Sequence, residues 1–149
     1  MIKTLEHALF YADHGWKVFP LKEKDKVPTV KWADVATTDK DTITSWWNAN
    51  PAANVGIMTG SKSGLLVLDI DAGHGGETTL TELQSKYGEL PQTPVCRTGG
   101  GGRHFFFKYA DGTKNTASKI GAGIDTRSEG GYVVGANSLH PSGHFYEWD

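Results

Sequence analysis

Leu65-Leu66-Val67-Leu68-Asp69-Ile70-Asp71 decides how the chain is read: an apolar run of strand length ends in two acids spaced two residues apart. Side chains alternate along a strand, so Val67, Asp69 and Asp71 share one face while Leu66, Leu68 and Ile70 share the other. The two carboxylates then start about 6.5–7 Å apart, a separation that can bracket one or two hard cations. Left uncompensated, they repel each other; Mg²⁺ or Mn²⁺ relieves that repulsion and can orient phosphate oxygens. The apolar lead-in marks a buried strand, and the exit Ala72-Gly73-His74-Gly75-Gly76 puts both acids at the mouth of a sheet, where ligands bind. A plainer reading, two acids solvated where a strand leaves the core, fits a bare Asp-x-Asp but accounts for neither flank. The run points to metal-dependent chemistry on phosphates.

Outward from this strand, helices and strands mix in an α+β order. Thr4 caps a helix through about His14, with Leu5, Ala8, Leu9 and Ala12 on one side and Gly15 as its stop. Trp16 to Leu21 reads as a strand and Lys22 to Pro28 as a charged loop. Thr38 is the expected N-cap of a short helix that carries Ile43, Trp46 and Trp47 and ends at Asn50-Pro51, with both tryptophans in the core. A strand at Val55 to Met58 and a turn at Thr59-Gly60-Ser61 lead into the acidic strand. A helix from about Glu77 to Tyr87 follows it, with Leu80 and Leu83 facing inward. After Pro91 and Pro94 the pattern predicts strands joined by glycine turns: Val95 to Arg97, Arg103 to Tyr109, Gly131 to Val134 and Phe145 to Trp148.

The 149 residues, 38% hydrophobic and 21% charged, describe one globular domain with room for a sizeable core. One cysteine, Cys96, leaves no internal disulfide framework or Cys-rich zinc site, and its apolar strand-like setting marks a packed thiol in a reducing, cytoplasmic setting. No apolar stretch approaches the roughly 18 residues needed to span a bilayer, and the N-terminus lacks the form of a signal peptide. The formal net charge of −2 argues against a strongly basic nucleic-acid binder, but the charge is uneven. Val95 to Gly131 carries six Lys/Arg against three acids and is basic, while the rest of the chain is acidic. A basic stretch beside an acidic metal pocket suits an anionic substrate.

Two further constellations bear on chemistry. Arg97-Thr98-Gly99-Gly100-Gly101-Gly102-Arg103-His104 runs a four-glycine turn into the aromatic strand Phe105-Phe106-Phe107. Main-chain N–H groups there can approach a ligand closely, with Arg103 and His104 supplying charge-assisted donors, so the turn can cradle a triphosphate. The other, Gly123-Ile124-Asp125-Thr126-Arg127-Ser128-Glu129-Gly130, offers a third carboxylate and another arginine, although a lone Asp in such a place is ordinarily a turn residue.

Together these pieces resemble the bifunctional DNA primase/polymerase N-terminal (prim-pol) domain of the archaeo-eukaryotic primase superfamily. The carrying residues are Asp69-Ile70-Asp71, Gly102-Arg103-His104 and Ile124-Asp125, in the family's order. Asn54-Val55-Gly56, Gly130-Gly131-Tyr132-Val133-Val134 and Ser138-Leu139-His140-Pro141-Ser142-Gly143 flank them in that order too. One departure is Gly102, which stands where the family often has a serine or another small residue, so no hydroxyl is available there. The resemblance implies an RRM-like catalytic core with an N-terminal α/β module, over residues 1–149, forming the N-terminal part of a longer replication protein that can include a helicase. It implies that Asp69, Asp71 and Asp125 hold two divalent ions, Mg²⁺ or Mn²⁺, and that His104 and Arg103, with Arg127 and His140, contact the incoming nucleotide. The partners would be single-stranded or primed DNA template and dNTPs or NTPs.

Other classes account for less. A haloacid-dehalogenase-like phosphatase wants Thr or Val where Gly73 stands, and a manganese-dependent glycosyltransferase leaves Gly-Arg-His and the third acid unexplained. Gly60-Ser61-Lys62-Ser63 lacks the adjacent Gly-Lys of a P-loop. From another class, the main alternative is a noncatalytic single-stranded nucleic-acid-binding module that uses Phe105, Phe106 and Phe107 as a stacking platform. Consecutive aromatics alternate faces, however, and three acids on a binding face repel phosphate unless metal is present.

Overall fold

A computed structural model describes residues 4–149. Helix α1 (Thr4–Asp13) leads into β1 (Val18–Leu21), followed by α2 (Trp32–Val35), α3 (Lys40–Ala49), β2 (Asn54–Met58) and the acidic strand β3 (Leu65–Ile70). A 3₁₀ turn, Ala72–His74, then precedes α4 (Gly76–Tyr87). The remainder is β4 (Val95–Arg97), β5 (Arg103–Lys108), β6 (Thr116–Gly121), β7 (Ile124–Arg127), β8 (Tyr132–Val134) and β9 (Glu147–Trp148). The strands form two antiparallel sheets, β1-β2-β8 and β6-β7-β3-β5-β4-β9, so the acidic strand is central in the larger one.

Alternation along β3 gives the larger sheet two different faces. Leu65 and Val67, with Phe106 of β5, join Val18, Phe19, Val55 and Ile57 of the small sheet and Tyr11, Ile43 and Trp47 of α1 and α3 in the main core. Burying such side chains contributes about 1.5–3 kcal/mol each. Trp47 also satisfies its indole N–H by donating to the Ala53 carbonyl at 2.9 Å. Ile70, Phe105 and Ile124 face the other way and form a smaller core with Leu80 of α4, Leu68, Leu83 and Phe107 packing around it. Both faces of the aromatic strand are therefore covered, and Phe105 and Phe106 are buried. Glycine fixes where α4 docks: a Cβ on Gly76 would stand 2.5 Å from the Gly123 carbonyl, and one on Gly123, itself at φ 76°, 2.4 Å from the Gly76 nitrogen.

Several expectations shift in detail. The cap of α3 is Asp39 rather than Thr38, because its carboxylate accepts from both the amide and the hydroxyl of Thr42 at 3.0 and 2.6 Å. β3 ends at Ile70, and Asp71 instead caps the 3₁₀ turn by accepting from the Gly73 amide. The stretch around Asp125 is a strand, not a turn, and β6 beside it is a further strand that the sequence pattern does not announce. Among the described residues, no helix is long and apolar enough to cross a membrane.

Cys96 lies fully buried in β4, and burial pushes its thiol up to about 12. The thiolate is the reactive form, so native protein at pH 8 is expected to resist a disulfide reagent and to react with one equivalent only on unfolding. Stoichiometric labelling without denaturant would show that β4 opens readily.

Candidate active site

Strand register gathers the acids. Asp69 of β3 is directly opposite His104 of β5 on one side and Asp125 of β7 on the other, so His104, Asp69 and Asp125 form one row across three neighbouring strands. Directly opposed residues lie on the same side of a pleated sheet, with Cβ atoms about 4.5–5.5 Å apart. Arg127, two residues beyond Asp125, shares that side. The row faces the side on which the small sheet packs.

Each of the three carboxylates has a basic partner from the chain itself. Asp69 Oδ1 is 3.5 Å from His104 Nε2; the Asp69 side chain is 26% exposed and that of His104 only 7%. Burial opposes ionisation of Asp69, but the hydrogen bond and charge of His104, helped by Arg127 and Lys26, outweigh it and hold its carboxyl below the ordinary carboxylate value. Asp125 accepts from the Ser118 amide at 2.9 Å and from the Arg127 guanidinium at 3.2 Å. A left-handed turn at Ser118 (φ 53°), within the register shift of β6, presents that amide. Half-exposed Asp71 pairs with His74 Nδ1 at 2.6 Å, and its amide donates to the Gly123 carbonyl at 2.7 Å, tying it to the start of β7. His104 Nδ1 is buried and has no hydrogen-bond partner.

A cleft of about 410 Å³ opens over this row, where the chain crosses from the larger sheet at β7 to the smaller at β8. Asp69, Asp71, His104, Arg127 and His140 all line it. Asp125 lies in the row beneath but does not line the cleft, its oxygens being taken by Ser118 and Arg127. Arg103 is not brought in. The alternation that sends His104 into the cleft sends Arg103 to the opposite face, where its guanidinium makes a bidentate pair with Glu77 of α4 at 2.8 and 2.6 Å.

The structure adds cleft residues that sequence reading left in loops or ordinary strands. Tyr132, on the far wall, donates its hydroxyl to the Lys26 carbonyl at 2.8 Å, which anchors the charged loop and brings Lys26 to the cleft. Tyr146, its ring centroid 6.4 Å from that of His104, has a phenol pushed up to about 12 by burial and by the Asp69 charge. A lysine in a charged loop and a tyrosine in a strand carry no local signal; only their tertiary neighbours place them here.

A single profile accounts for almost the whole chain: that of the Prim-Pol family, bifunctional DNA primase/polymerase, N-terminal, matches residues 8–149. The chain belongs to this family. No curated protein matches it as a relative. Prim-Pol proteins are associated with DNA primase and polymerase activity and with divalent metals, which makes the donor set of this Prim-Pol cleft a test. Asp69 and Asp71 offer carboxylate oxygens in a water-accessible cleft, the donor chemistry that hard divalent cations take. Asp125 is the in-register third carboxylate. Among the described residues no three His, Cys, Asp or Glu side chains are gathered as a metal cage; His74 pairs with Asp71 and Arg127 with Asp125. Asp69 and Asp71 fit such an ion by chemistry, while Asp125 is held by Arg127 and the Ser118 amide.

Proposed function

We propose that this Prim-Pol chain is a nucleotidyltransferase that joins nucleotides on a DNA template, as a primase, a polymerase or both, by two-metal phosphoryl transfer. The observation that carries the reading is a cleft lined by Asp69, Asp71 and His104 together with Arg127 and His140, with Asp125 in register beside Asp69 beneath it. The order of part of the larger sheet supports an RRM-like core. The run β3-α4-β4-β5, completed by β7, gives the order β7-β3-β5-β4, that of a split βαβ unit with the β6 hairpin in place of a second helix.

Asp69, Asp71 and Asp125 are the residues that would hold the ions. Bound there, Mg²⁺ or Mn²⁺ supplies the charge that acidifies a primer 3′-hydroxyl and offsets that of a leaving pyrophosphate. The side chains do the rest. His104 keeps Asp69 ionised and oriented. Arg127, on moving from Asp125 to an incoming triphosphate, neutralises one anion and uncovers another. His140 supplies a further donor, and Lys26 with Tyr132 forms the opposite wall, where template or nucleotide lies. Phe105 and Phe106 are buried, so the platform that a purely binding module needs is not on offer.

Labelled dNTPs or NTPs supplied with primed and unprimed single-stranded DNA provide the test. Template-dependent product is expected with Mg²⁺ or Mn²⁺ and should vanish with EDTA, the unprimed lane separating primase from polymerase. Absence of product under every condition, with DNA still bound, would overturn the reading.

A further inference from the structure

Of the two acids that line the cleft, Asp71 is the one no strand register holds, because β3 ends at Ile70 and its ladder to β5 stops at the pair Ile70–Arg103. The 3₁₀ turn wound around Asp71 sets its place instead. The Asp71 carbonyl accepts from the amides of His74 and Gly76 at 3.2 and 2.9 Å, and its carboxylate accepts from that of Gly73 at 2.9 Å. This turn runs directly into α4, so the aim of the Asp71 carboxylate depends on how the first turn of α4 sits against the sheet.

Arg103 holds both ends of that segment. At one end its backbone pairs with Ile70, and Gly102 just before it leaves no room for a Cβ against the Ile70 carbonyl, so β5 runs close to the start of the turn. At the other end its guanidinium donates to Glu77, in the first turn of α4, through Nε at 2.8 Å and Nη2 at 2.6 Å. The same guanidinium lies over the ring of buried Phe105, 4.8 Å from its centroid, which fixes the plane of the fork. With side chains 34% and 44% exposed, an ordinary ion pair here would add little to folding. The bulk of α4 docking comes from Leu80 against Ile70, Phe105 and Ile124 and from the close approach of Gly76 to Gly123. What a bidentate fork on a fixed ring adds is orientation.

We infer that the Arg103–Glu77 pair is a positioning clamp for Asp71: it closes the segment from Ile70 to Glu77 so that the Asp71 carboxylate stays presented to the cleft, with Asp69, for a divalent cation. The inference rests on the proposed metal-dependent reading of the cleft, and it gives Arg103 a part in that chemistry from the opposite face of the sheet. Partners that orient metal ligands change metal affinity roughly 10–100-fold when lost, and a clamp acting one step behind the ligand belongs at the lower end of that range.

The test is Mn²⁺ binding without turnover, by calorimetric titration of the wild type, Arg103→Lys, Glu77→Gln and the exchanged pair Glu77→Arg/Arg103→Glu. Lysine keeps the charge and loses the fork; glutamine keeps the shape and loses the charge. Each single variant should bind Mn²⁺ about tenfold more weakly, and the exchanged pair should recover most of that loss. The nucleotide KM at saturating Mn²⁺ should stay within about twofold, whereas an Arg103 that contacts the triphosphate would raise it, most of all in the exchanged pair. Leu83→Ala loosens the packing of α4 without touching the pair and should leave Mn²⁺ affinity within about twofold, which separates positioning from general loss of stability. The clamp is overturned by Mn²⁺ affinities within about twofold of wild type in both single variants, by an exchanged pair no better than either, by Leu83→Ala as weak as they are, or by a wild type that binds no Mn²⁺. A chain that incorporates nucleotides while its Mn²⁺ affinity ignores the pair loses the clamp alone; one whose Mn²⁺ affinity follows the pair but which never incorporates loses the nucleotidyltransferase reading alone.

Discussion

Asp69→Asn is expected to lower nucleotide incorporation by at least about 10³-fold while the protein stays folded. The substitution keeps size and shape and removes only the charge, in the one carboxylate that lies both in the cleft and at the centre of the His104–Asp69–Asp125 row. Divalent ions at such sites supply several kcal/mol of charge stabilisation, and each 1.36 kcal/mol is tenfold in rate, so losing a central ligand readily reaches three orders of magnitude. Retained activity would falsify the assignment of Asp69 as a metal ligand. An acid titration of stability provides a control independent of turnover. The Asp69 carboxyl is held below its ordinary value by His104, Arg127 and Lys26 against the cost of burial, so its ionised form favours the folded state. That contribution is fully present above the unfolded-chain value of about 3.9 and disappears as pH falls through the lower folded value. Asp69→Asn should therefore be somewhat less stable than wild type at neutral pH, with the difference closing below about pH 4. An unchanged gap across that range would mean that the ion pair with His104 contributes nothing to folding.

How far the sequence could be read depends on whether a signal was local. The acidic strand was legible because one rule, alternation, acts within a single run: it placed Val67 with Asp69, and both do face the side on which the small sheet packs. The same rule applied to β5 separates Arg103 from His104, yet the charge-rich Gly-Arg-His motif drew both toward the cleft. The structure gives Arg103 to Glu77 and the α4 face. β7 was illegible for a different reason. Ile124-Asp125-Thr126-Arg127 is four residues set among glycines, and it becomes a strand only through pairing with β3, a contact distant in sequence. β6, mostly exposed and polar, lacks even an apolar rhythm. The glycine turn answers a packing demand that no local pattern displays: at Gly99 and Gly102, the His140 side chain and the Ile70 carbonyl leave no room for a Cβ.

His104 is where the structure refines its expected role most, and His104→Ala should show it in kcat rather than KM. The resemblance to prim-pol domains implies contact with the incoming triphosphate, and loss of such a contact would chiefly raise the nucleotide KM. The side chain, however, is only 7% exposed and turns Nε2 toward Asp69 at 3.5 Å, so what it can do from that position is hold Asp69. Removing it leaves a mostly buried carboxylate without its nearest counter-group and opens a gap beside Tyr146. We expect kcat to fall about 10²-fold or more, in the range found when one preorganised electrostatic partner is deleted. The nucleotide KM should stay within about threefold, and unfolding in urea should show a loss of about 1–3 kcal/mol for the unpaired buried group. His104→Gln, whose amide can still donate to Asp69 Oδ1, should regain most of the stability and part of kcat. A large rise in KM with kcat preserved would instead put the imidazole on the triphosphate and require the ring to leave the pocket seen here when nucleotide binds.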